Sequence, residues 1–232
     1  MITAEKLISI FKSVDFGRDL TELSSYAASI RQERPIVQLF AKYLWRDGSH
    51  IHALESKYNR PNGERSKDKC DLSVDGKTIE FKSHFDSDMR TVGKDLKSCD
   101  NDLQEMWRRI SVEKKNKTWG VCPSIYEDVL IKQPDFFVWI ICSRDIKELT
   151  DNAGTSIAVF DEHQRYRRDV PYDPNGEYLS EALKVLNKMN ATRPFEFRRS
   201  TVLTKGLFDS AYHLLLCEFE NSFVQEAFPK GK

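Results

Sequence analysis

Hydrophobic residues recur at steps of three and four over the first fifty residues of the chain, and the segments that follow alternate instead. The stepped spacing predicts three amphipathic helices, at about 7–14, 20–30 and 35–47. A capping box that begins at Asp19 places the start of the second helix, and Pro35 suits the first turn of the third. The loose alternation over residues 50–58 predicts a strand.

The middle of the chain predicts a β-hairpin. Asp75-Gly76 separates two alternating runs, 70–74 and 77–84, and Asp-Gly is among the strongest short hairpin signals. The elements predicted beyond it are a helix over 92–110, a buried strand over 136–142, a strand over 155–160, a helix over 178–189 and strands over 195–204 and 211–219. The order of helix, three strands, helix and strand implies an α/β chain, with a mixed sheet of the α+β kind and helices on its faces.

The composition excludes several classes of protein. The 232 residues are 40% hydrophobic and 31% charged, with a mean hydropathy of −0.56. The longest apolar run, Phe136–Cys142, has seven residues, whereas a membrane-spanning helix needs about 20. We therefore expect no membrane partner. No stretch rich in Gly, Pro or Ser divides the chain, so residues 1–232 are predicted to form one domain.

Charge and cysteine content indicate the compartment and the manner of binding. The 36 basic side chains cancel the 36 acidic ones, so a polyanionic partner would have to be held by local patches. The five cysteines, odd in number and without Cys-x-x-Cys spacing, are typical of reduced thiols in the cytosol. The N-terminus lacks a basic segment followed by a long apolar one, so we expect no signal peptide and a cytoplasmic location.

Two acids face each other in the predicted hairpin. A two-residue turn at Asp75-Gly76 makes Asp71 the direct partner of Glu80. Because opposed residues share a face, Lys82 lies on the same side, and the other side is apolar. The Cβ atoms of the acids would be about 5 Å apart, with a repulsion on the order of 3 kcal/mol. A hard divalent cation such as Mg²⁺, which prefers oxygen ligands, would turn this conflict into a binding site.

The spacing of these residues carries a resemblance to a known family. Asp71, eight intervening residues and then Glu80-Phe81-Lys82 resemble the motif of the PD-(D/E)xK nuclease superfamily, whose fold is restriction-endonuclease-like. The predicted order of elements also resembles the common core of that family, over about residues 33–142. Residues 143–232 would then be a C-terminal elaboration that serves DNA recognition or dimerisation.

The resemblance implies roles for these residues. Asp71 and Glu80 would ligate Mg²⁺, for which Mn²⁺ would substitute, and Lys82 would orient or polarise the attacking water. The family often adds an acid from the preceding helix or strand, and the candidates here are Glu33 and Glu55. Glu55 is preferred as a catalytic and metal-binding residue because a neighbouring strand can point it into the site. Glu33 is doubtful because Pro35 favours extended backbone upstream.

A second stretch fits the letters of the motif better. Pro134-Asp135 is followed by Asp145-Ile146-Lys147, and it includes the proline that Cys70 replaces in the hairpin. Residues 136–142 form one apolar strand without a turn, so the acids at its two ends would lie roughly 30 Å apart at about 3.3 Å per residue. Those acids could not share an ion, and the hairpin is therefore the predicted site.

Local basic clusters are the candidates for contact with DNA. The strongest precedes the hairpin, in a stretch interpreted as a loop, and its basic residues are Lys57, Arg60, Arg65, Lys67 and Lys69. A second cluster begins at Arg108 and Arg109. Arg193, Arg198 and Arg199 form a third candidate, since arginine can read base edges as well as phosphates. For each cluster a solvated protein face is the alternative.

The motif and the predicted order of elements together favour a Mg²⁺-dependent endonuclease that acts on double-stranded DNA. The resemblance implies 5′-phosphate and 3′-hydroxyl products, and a compact type II restriction-like enzyme is the leading form. Cutting both strands would then require a homodimer. A DNA repair or defence nuclease of the same superfamily is the closer alternative. A non-catalytic nucleic-acid or protein-binding module on the same fold is the alternative from a different class.

Overall fold

The structure is a computed structural model, and the residues that it describes are 1–26, 32–59, 65–85, 121–145, 149–150, 156–157, 177–204 and 209–220. The helices are α1 (Ala4–Lys12), α2 (Val14–Tyr26), α3 (Glu33–Arg46), α4 (Val121–Tyr126), which a π-helical turn at Glu127–Ile131 continues, and α5 (Glu177–Thr192). The strands are β1 (Ile51–Asn59), β2 (Arg65–Val74), β3 (Lys77–Phe85), β4 (Phe136–Asp145), β5 (Leu149–Thr150), β6 (Ser156–Ile157), β7 (Phe195–Thr204) and β8 (Asp209–Phe219).

Six of these strands form one mixed β-sheet in the order β1-β2-β3-β4-β8-β7. The β3–β4 pair is parallel, and the other neighbours in this sheet run antiparallel. Strands β5 and β6 form a separate short ladder. Helices α1 and α2 pack against β7, and α3 packs against β1, β2 and β3. The predicted class, a mixed sheet of the α+β kind with helices against it, is therefore confirmed.

Strand β4 is buried on both faces. Its alternate residues enter two different cores, with Phe136, Val138 and Ile140 packed among residues of α1–α3 and Phe137, Trp139 and Ile141 packed among residues of α4 and α5. A strand covered on both faces needs apolar residues at every position. The uninterrupted apolar run that predicts a buried strand here is thereby explained, and the prediction is confirmed.

The hairpin has the predicted register. Its ladder pairs Leu72 with Ile79, Ser73 with Thr78 and Val74 with Lys77. Asp75 and Gly76 both take positive φ angles, 50° and 80°, as a type I′ turn requires. Oδ1 of Asp75 also accepts a hydrogen bond from the His50 N–H at 2.8 Å. The chemistry of the turn thus fixes which residues of the two strands face each other.

The predicted start of the second helix is wrong. Helix α2 begins at Val14, so Asp19 lies inside it rather than at a cap. Oδ2 of Asp19 accepts hydrogen bonds from Nζ of Lys42 at 2.6 Å and from the hydroxyl of Tyr43 at 2.9 Å. The acid therefore joins α2 to α3. A tertiary contact of this kind leaves no trace in the local spacing that suggests a capping box.

The basic stretch ahead of the hairpin is strand at both ends. Strand β1 extends to Asn59 and β2 begins at Arg65, with Lys57 paired to Lys69 in the ladder. The prediction of a loop over 57–69 is therefore wrong for most of its length. Polar residues follow one another here without alternation, so only the backbone pairing of the two strands shows that this stretch belongs to the sheet.

The remaining predictions have mixed outcomes. The helix predicted over 178–189 and the strands predicted over 195–204 and 211–219 are confirmed as α5, β7 and β8. Of the strand predicted over 155–160, the described part is Ser156–Ile157, which is β6. The helix predicted over 92–110 lies outside the described residues. Within the described ranges, no helix has both the length and the apolar character needed to cross a membrane.

Candidate active site

The hairpin brings two acids together on one face of the sheet. The ladder between β2 and β3 ends at the pair of Leu72 and Ile79, and Asp71 and Glu80 are the next residues of the two strands beyond it. Oδ2 of Asp71 accepts a hydrogen bond from the Phe81 N–H at 2.7 Å. The side chain of Glu80 is only 1% exposed, which is rare for an acid. The geometry of the hairpin therefore presents a close pair of carboxylates, one of them deeply buried.

Lys82 lies on the same face, two residues beyond Glu80. Its Nζ is 2.8 Å from Oδ2 of Asp128, and its side chain is 19% exposed. Burial acts to lower the pKa of Lys82, but Asp128 and Glu33 outweigh burial, so the pKa is raised. The ammonium group is therefore held in its charged form, in which it donates hydrogen bonds and accepts none.

Two further residues of the cluster lie in, or directly after, the π-helical turn that continues α4. Asp128 lies in that turn and Lys132 follows it directly. Nζ of Lys132 is 2.7 Å from Oδ1 of Asp128 and also contacts Oε1 of Glu80. Short π-helical segments are frequent at functional sites. Neither residue was predicted from the sequence, where their spacing of four indicates an ion pair on a helix but no site.

Glu33 reaches the hairpin from the neighbouring helix. It is the first residue of α3, and its Oε2 accepts a hydrogen bond from the Ser83 N–H at 3.1 Å. The expectation that Pro35 would keep Glu33 out of the helix is wrong. Pro35 occupies the first turn, where its missing N–H has no partner to lose, and its steric restriction acts on Arg34 rather than on Glu33.

Glu55, the acid preferred from the sequence, is placed only through its backbone. The ladder between β1 and β2 sets its backbone opposite that of Asp71. The Glu55 side chain lies outside the part of the chain that is described. Cys70, which stands where the motif has a proline, is buried. The described geometry therefore brings Glu33 to the hairpin, and Glu55 stays a prediction.

Negative charge outweighs positive charge in this cluster. Its members among the described residues are four acids and two lysines, in chain order Glu33, Asp71, Glu80, Lys82, Asp128 and Lys132. Burial raises the pKa of Glu33 and of Asp71. Burial also raises the pKa of Glu80, with Asp128 and Asp71 adding to it and Lys132 opposing it. Among the residues that the structure describes, none donates a hydrogen bond to Oε2 of Glu80.

The donors of this cluster fit a hard divalent cation that also binds water and substrate. Asp71 and Glu80 offer carboxylate oxygens, the ligands that Mg²⁺ prefers. Within the described ranges, no group of three or more His, Cys, Asp or Glu side chains is arranged to hold a metal ion. Mg²⁺ commonly takes one or two carboxylates and completes its shell with waters and phosphate oxygens. The two acids, with the unbonded Oε2 of Glu80, are sufficient for that mode of binding.

His84 lies two residues beyond Lys82 on β3. Nε1 of Trp139 donates a hydrogen bond to Nδ1 of His84 at 3.0 Å, and the two ring centroids are 5.9 Å apart in an edge arrangement. Because Nδ1 accepts this bond, the neutral imidazole carries its proton on Nε2. The buried tryptophan thus holds the imidazole in one tautomer next to the cluster of acids and lysines.

The residues predicted to hold DNA are only partly described. Lys69 is exposed on β2. Described through their backbone alone, on β1 and β2, are Lys57, Arg65 and Lys67. Outside the described residues are Arg60, Arg108 and Arg109. Contact of these residues with DNA therefore stays a prediction.

Arg193, a candidate for reading DNA, is buried and serves another purpose. Its side chain is 6% exposed, and its guanidinium lies 3.7 Å from the centroid of the Phe219 ring. It donates hydrogen bonds to the carbonyls of Val129 at 2.7 Å and Pro134 at 2.8 Å. The interpretation of Arg193 as a reading element is wrong, because this side chain anchors the segment that includes the π-helical turn.

Comparisons of the chain with known proteins gave no family assignment. No protein-family model matches the chain, and no significant match was found among curated proteins or among solved structures. The function therefore has to be inferred from the residues of the site and their geometry.

Proposed function

We propose that the protein is a metal-dependent endonuclease that hydrolyses phosphodiester bonds of DNA, with the restriction-endonuclease-like core of the PD-(D/E)xK nucleases. The motif Asp71 followed by Glu80-Phe81-Lys82 lies on a tight hairpin. Helix α3 and strand β1 precede that hairpin, and β4 runs parallel to β3 after it. A compact type II restriction-like enzyme is the simplest form of this proposal, with recognition and cutting in one chain and a homodimer for double-strand cleavage.

The observation that carries the proposal is the environment of Glu80. Its side chain is 1% exposed, and the charge of Asp71 acts to raise its pKa. Among the described residues no donor reaches its Oε2. A buried acceptor without a partner costs on the order of 1–3 kcal/mol of stability. Perturbed acids of this kind cluster at functional sites, and a bound cation would offset the cost.

The acids of the hairpin would hold Mg²⁺, or Mn²⁺ in its place. Such an ion lowers the pKa of a bound water and neutralises charge on the phosphate. Oδ2 of Asp71 is fixed by the Phe81 N–H at 2.7 Å, which sets the direction of the other carboxylate oxygen. Glu33 is fixed in a similar way by the Ser83 N–H at 3.1 Å. Backbone donors thus orient two of the acids before any cation binds.

Lys82 would orient the attacking water and stabilise charge on the phosphate. Asp128 holds its ammonium at 2.8 Å, and the raised pKa of Lys82 keeps it protonated. A charged lysine can donate to the water or to a phosphate oxygen but cannot accept a proton from the water. In the proposed hydrolysis the attacking water gives up a proton to solvent as its oxygen bonds to phosphorus, the bond from phosphorus to the 3′ oxygen breaks, and the 3′ oxygen takes a proton from solvent to leave as a hydroxyl. We therefore assign Lys82 to positioning and charge stabilisation.

A non-catalytic nucleic-acid or protein-binding module is the alternative from a different class. The contact between Lys132 and Glu80 favours it, because a lysine that neutralises part of the buried acid could serve the fold alone. Such a module would bind its partner equally well with and without metal. A DNA repair or defence nuclease differs from the leading proposal in its substrate rather than in its chemistry.

A plasmid assay separates the enzyme from the binding module. Supercoiled plasmid is incubated with wild-type protein in Mg²⁺, with wild-type protein in EDTA, and with Lys82→Ala in Mg²⁺. We expect nicking or discrete cutting in Mg²⁺ only, and a loss of about 100-fold or more in Lys82→Ala, as for other groups that act in the transition state. Lys42→Gln, which removes an ion pair with Asp19, is the matched control and should cut like the wild type.

The same assay tests the two acids. Asp71→Asn and Glu80→Gln should abolish cutting, while a gel-shift assay in EDTA shows that DNA binding survives. Cutting equal to that of the wild type in either variant would mean that the wrong carboxylates have been assigned. Binding that persists in EDTA, with no nicking by the wild type at any enzyme excess, would replace the nuclease with the binding module.

A further inference from the structure

Lys132 contacts the buried acid on which the proposed metal site depends. Its Nζ touches Oε1 of Glu80 and lies 2.7 Å from Oδ1 of Asp128. The side chain of Glu80 is 1% exposed, and within the described part of the chain no donor reaches its Oε2. One oxygen of Glu80 thus contacts an internal cation, and the other is a buried acceptor without a hydrogen bond from the described residues.

The two cations would oppose each other at Glu80. An ammonium and a divalent ion on the two oxygens of one carboxylate lie only a few ångströms apart, and like charges at that separation repel strongly away from water. Solvent screens this site weakly, since the side chain of Lys132 is 19% exposed and that of Asp128 is 7% exposed. A metal ion would therefore bind Glu80 well only if the ammonium of Lys132 moved away.

The π-helical turn gives the lysine a second partner. Asp128 contacts Lys132 independently of Glu80, so the ammonium keeps one acid when it leaves the other. The flexible four-carbon stem of lysine allows such a movement without a change in the backbone. Lys132 is therefore tethered to the site rather than locked in it.

Arg193 holds the backbone on both sides of this lysine. Its guanidinium donates to the carbonyl of Val129, three residues before Lys132, at 2.7 Å. It also donates to the carbonyl of Pro134, two residues after Lys132, at 2.8 Å. Arg193 is 6% exposed and directly follows α5. These contacts therefore join the π-helical turn to the core that lies between β4 and helices α4 and α5. The backbone on both sides of Lys132 is thus held by hydrogen bonds from Arg193, whereas the Lys132 side chain is held only by its contacts with Asp128 and Glu80.

We propose that Lys132 is a tethered counter-ion that competes with the divalent metal for Glu80 and so sets the metal affinity of the site. This inference rests on the proposed function, since it concerns the regulation of the same metal site. It predicts that a substitution of Lys132 raises the metal affinity, whereas most substitutions near a metal site lower it. Removing the lysine tightens metal binding, whereas loss of a ligand or a loosened fold would weaken it.

Mn²⁺ binding in the absence of DNA tests the inference without measuring cleavage. Free Mn²⁺ is counted by its EPR signal during titration of the full-length protein, at one pH, for the wild type, Lys132→Gln, Lys132→Met, Lys132→Arg and Lys42→Gln. We expect the two neutral variants to bind Mn²⁺ about tenfold or more tightly than the wild type, within the range known for residues that contact metal ligands. Lys132→Arg, which keeps the charge, and the Lys42→Gln control should match the wild type.

The outcomes separate this inference from the proposed function. Two neutral variants are used so that a failure of one to fold, seen by circular dichroism, leaves the other. Wild-type binding together with equal or weaker binding by a folded neutral variant would overturn the role of Lys132 and leave the nuclease proposal standing. Absence of Mn²⁺ binding by the wild type and by every folded variant would overturn the proposed metal site itself.

Discussion

The carboxylate of Glu80, on β3, and that of Asp135, which contacts Thr78 of β3, differ in their hydrogen-bond partners. Asp135, just before β4, accepts hydrogen bonds from the Thr78 N–H at 2.8 Å and the Thr78 hydroxyl at 3.0 Å, and Nζ of Lys77 lies 3.1 Å away. Glu80 contacts Lys132 through one oxygen, and no donor among the described residues reaches the other. Both oxygens of Asp135 therefore have donors, whereas only one oxygen of Glu80 has a donor among the described residues.

The two acids differ in burial as well as in their hydrogen-bond partners. The side chain of Asp135 is 19% exposed, whereas that of Glu80 is 1% exposed. Burial raises the pKa of Glu80, and two neighbouring acids raise it further. A protein keeps such a destabilised acid only where something offsets the cost, and a functional site is the usual place.

The second stretch that fits the letters of the motif has a different geometry from the hairpin. Pro134-Asp135 and Asp145 fit the motif of the nuclease superfamily, yet Asp135 precedes and Asp145 ends the unbroken ten-residue strand β4. The prediction of one strand without a turn is confirmed, and at about 3.3 Å per residue it separates the two backbones by roughly 30 Å. What makes a pair of carboxylates useful is the turn that brings them together.

The largest expected effect concerns Asp135. Asp135→Asn removes the negative charge and leaves one acceptor oxygen in place of two, so the Thr78 donors and Lys77 can no longer all be matched by acceptors. We expect the free energy of unfolding to fall by about 3 kcal/mol, since bonds to a charged group contribute roughly 1.5–3 kcal/mol each. Urea unfolding at pH 7 measures it, while plasmid cutting at a temperature where the variant is folded should be unchanged.

Lys77→Gln is the control for this prediction. It removes the ion pair with Asp135 but leaves both bonds from Thr78. An ion pair of this partly exposed kind contributes about 0–1 kcal/mol, so Lys77→Gln should destabilise the fold much less than Asp135→Asn does. If the two variants lost the same stability, or if Asp135→Asn lost cleavage while folded, the division between a structural and a functional acid would fail.

Local signals in the sequence predict the half of the site that lies on the hairpin. Alternation of polar and apolar residues, together with Asp75-Gly76, sets the register, and the observed ladder follows it up to Leu72 and Ile79, the residues next to Asp71 and Glu80. The central strand β4 is equally legible because burial on both faces requires an uninterrupted apolar run. The spacing of polar and apolar residues is therefore enough to predict the structure wherever one short segment determines the geometry.

The other half of the site depends on contacts between distant segments. Lys132 contacts Glu80 and Asp128 contacts Lys82 because β4 runs parallel to β3, which brings the turn that precedes β4 to the hairpin. Arg193 lies in a polar, basic neighbourhood of the sequence, yet it is buried against Phe219. Nothing within a few residues of these positions reports such contacts, so sequence patterns could not predict them.

The second prediction is a rise in the free energy of unfolding, where the first is a fall. Glu80→Gln replaces an acid whose ionisation is disfavoured by burial and by the neighbouring acids, and Lys132 keeps Asp128 as a partner. Because the fold favours the protonated acid, the neutral amide should stabilise the metal-free protein by about 1 kcal/mol at pH 8. Urea unfolding in EDTA measures the gain, and added Mn²⁺ should stabilise the wild type more than the variant.

A surface acid provides the control for that gain. Glu181→Gln removes a carboxylate that pairs with Lys184 on α5, where the lysine is 58% exposed. We expect a change within about 0.5 kcal/mol, as for most surface substitutions. A similar gain in both variants would indicate a general effect of net charge. A loss of stability in Glu80→Gln would mean that Glu80, like Asp135, is matched by its surroundings.

The smallest predicted effect is the pH dependence of the Glu80→Gln gain. The pKa of Glu80 in the fold lies above its ordinary value of 4.5. At pH values above 4.5 the carboxyl group of Glu80 loses its proton in the unfolded wild type but keeps it in the folded protein. The free energy of unfolding of the wild type therefore falls as the pH rises towards the raised pKa. The Glu80→Gln variant has no such proton, and its advantage over the wild type should therefore grow between pH 5 and pH 8.

The growth should be a few tenths of a kcal/mol per pH unit, below the limit of about 1.4 kcal/mol for one independent proton. The pKa values of Asp71 and Glu33 are raised as well, so these neighbours share the proton and spread the titration. Lys82 and Lys132 contribute nothing here, because their raised pKa values lie above 10.5. Urea unfolding of both proteins at four pH values in EDTA measures the trend. An advantage that stays constant or shrinks with pH would mean that Glu80 is ionised in the metal-free fold, as a matched structural acid would be.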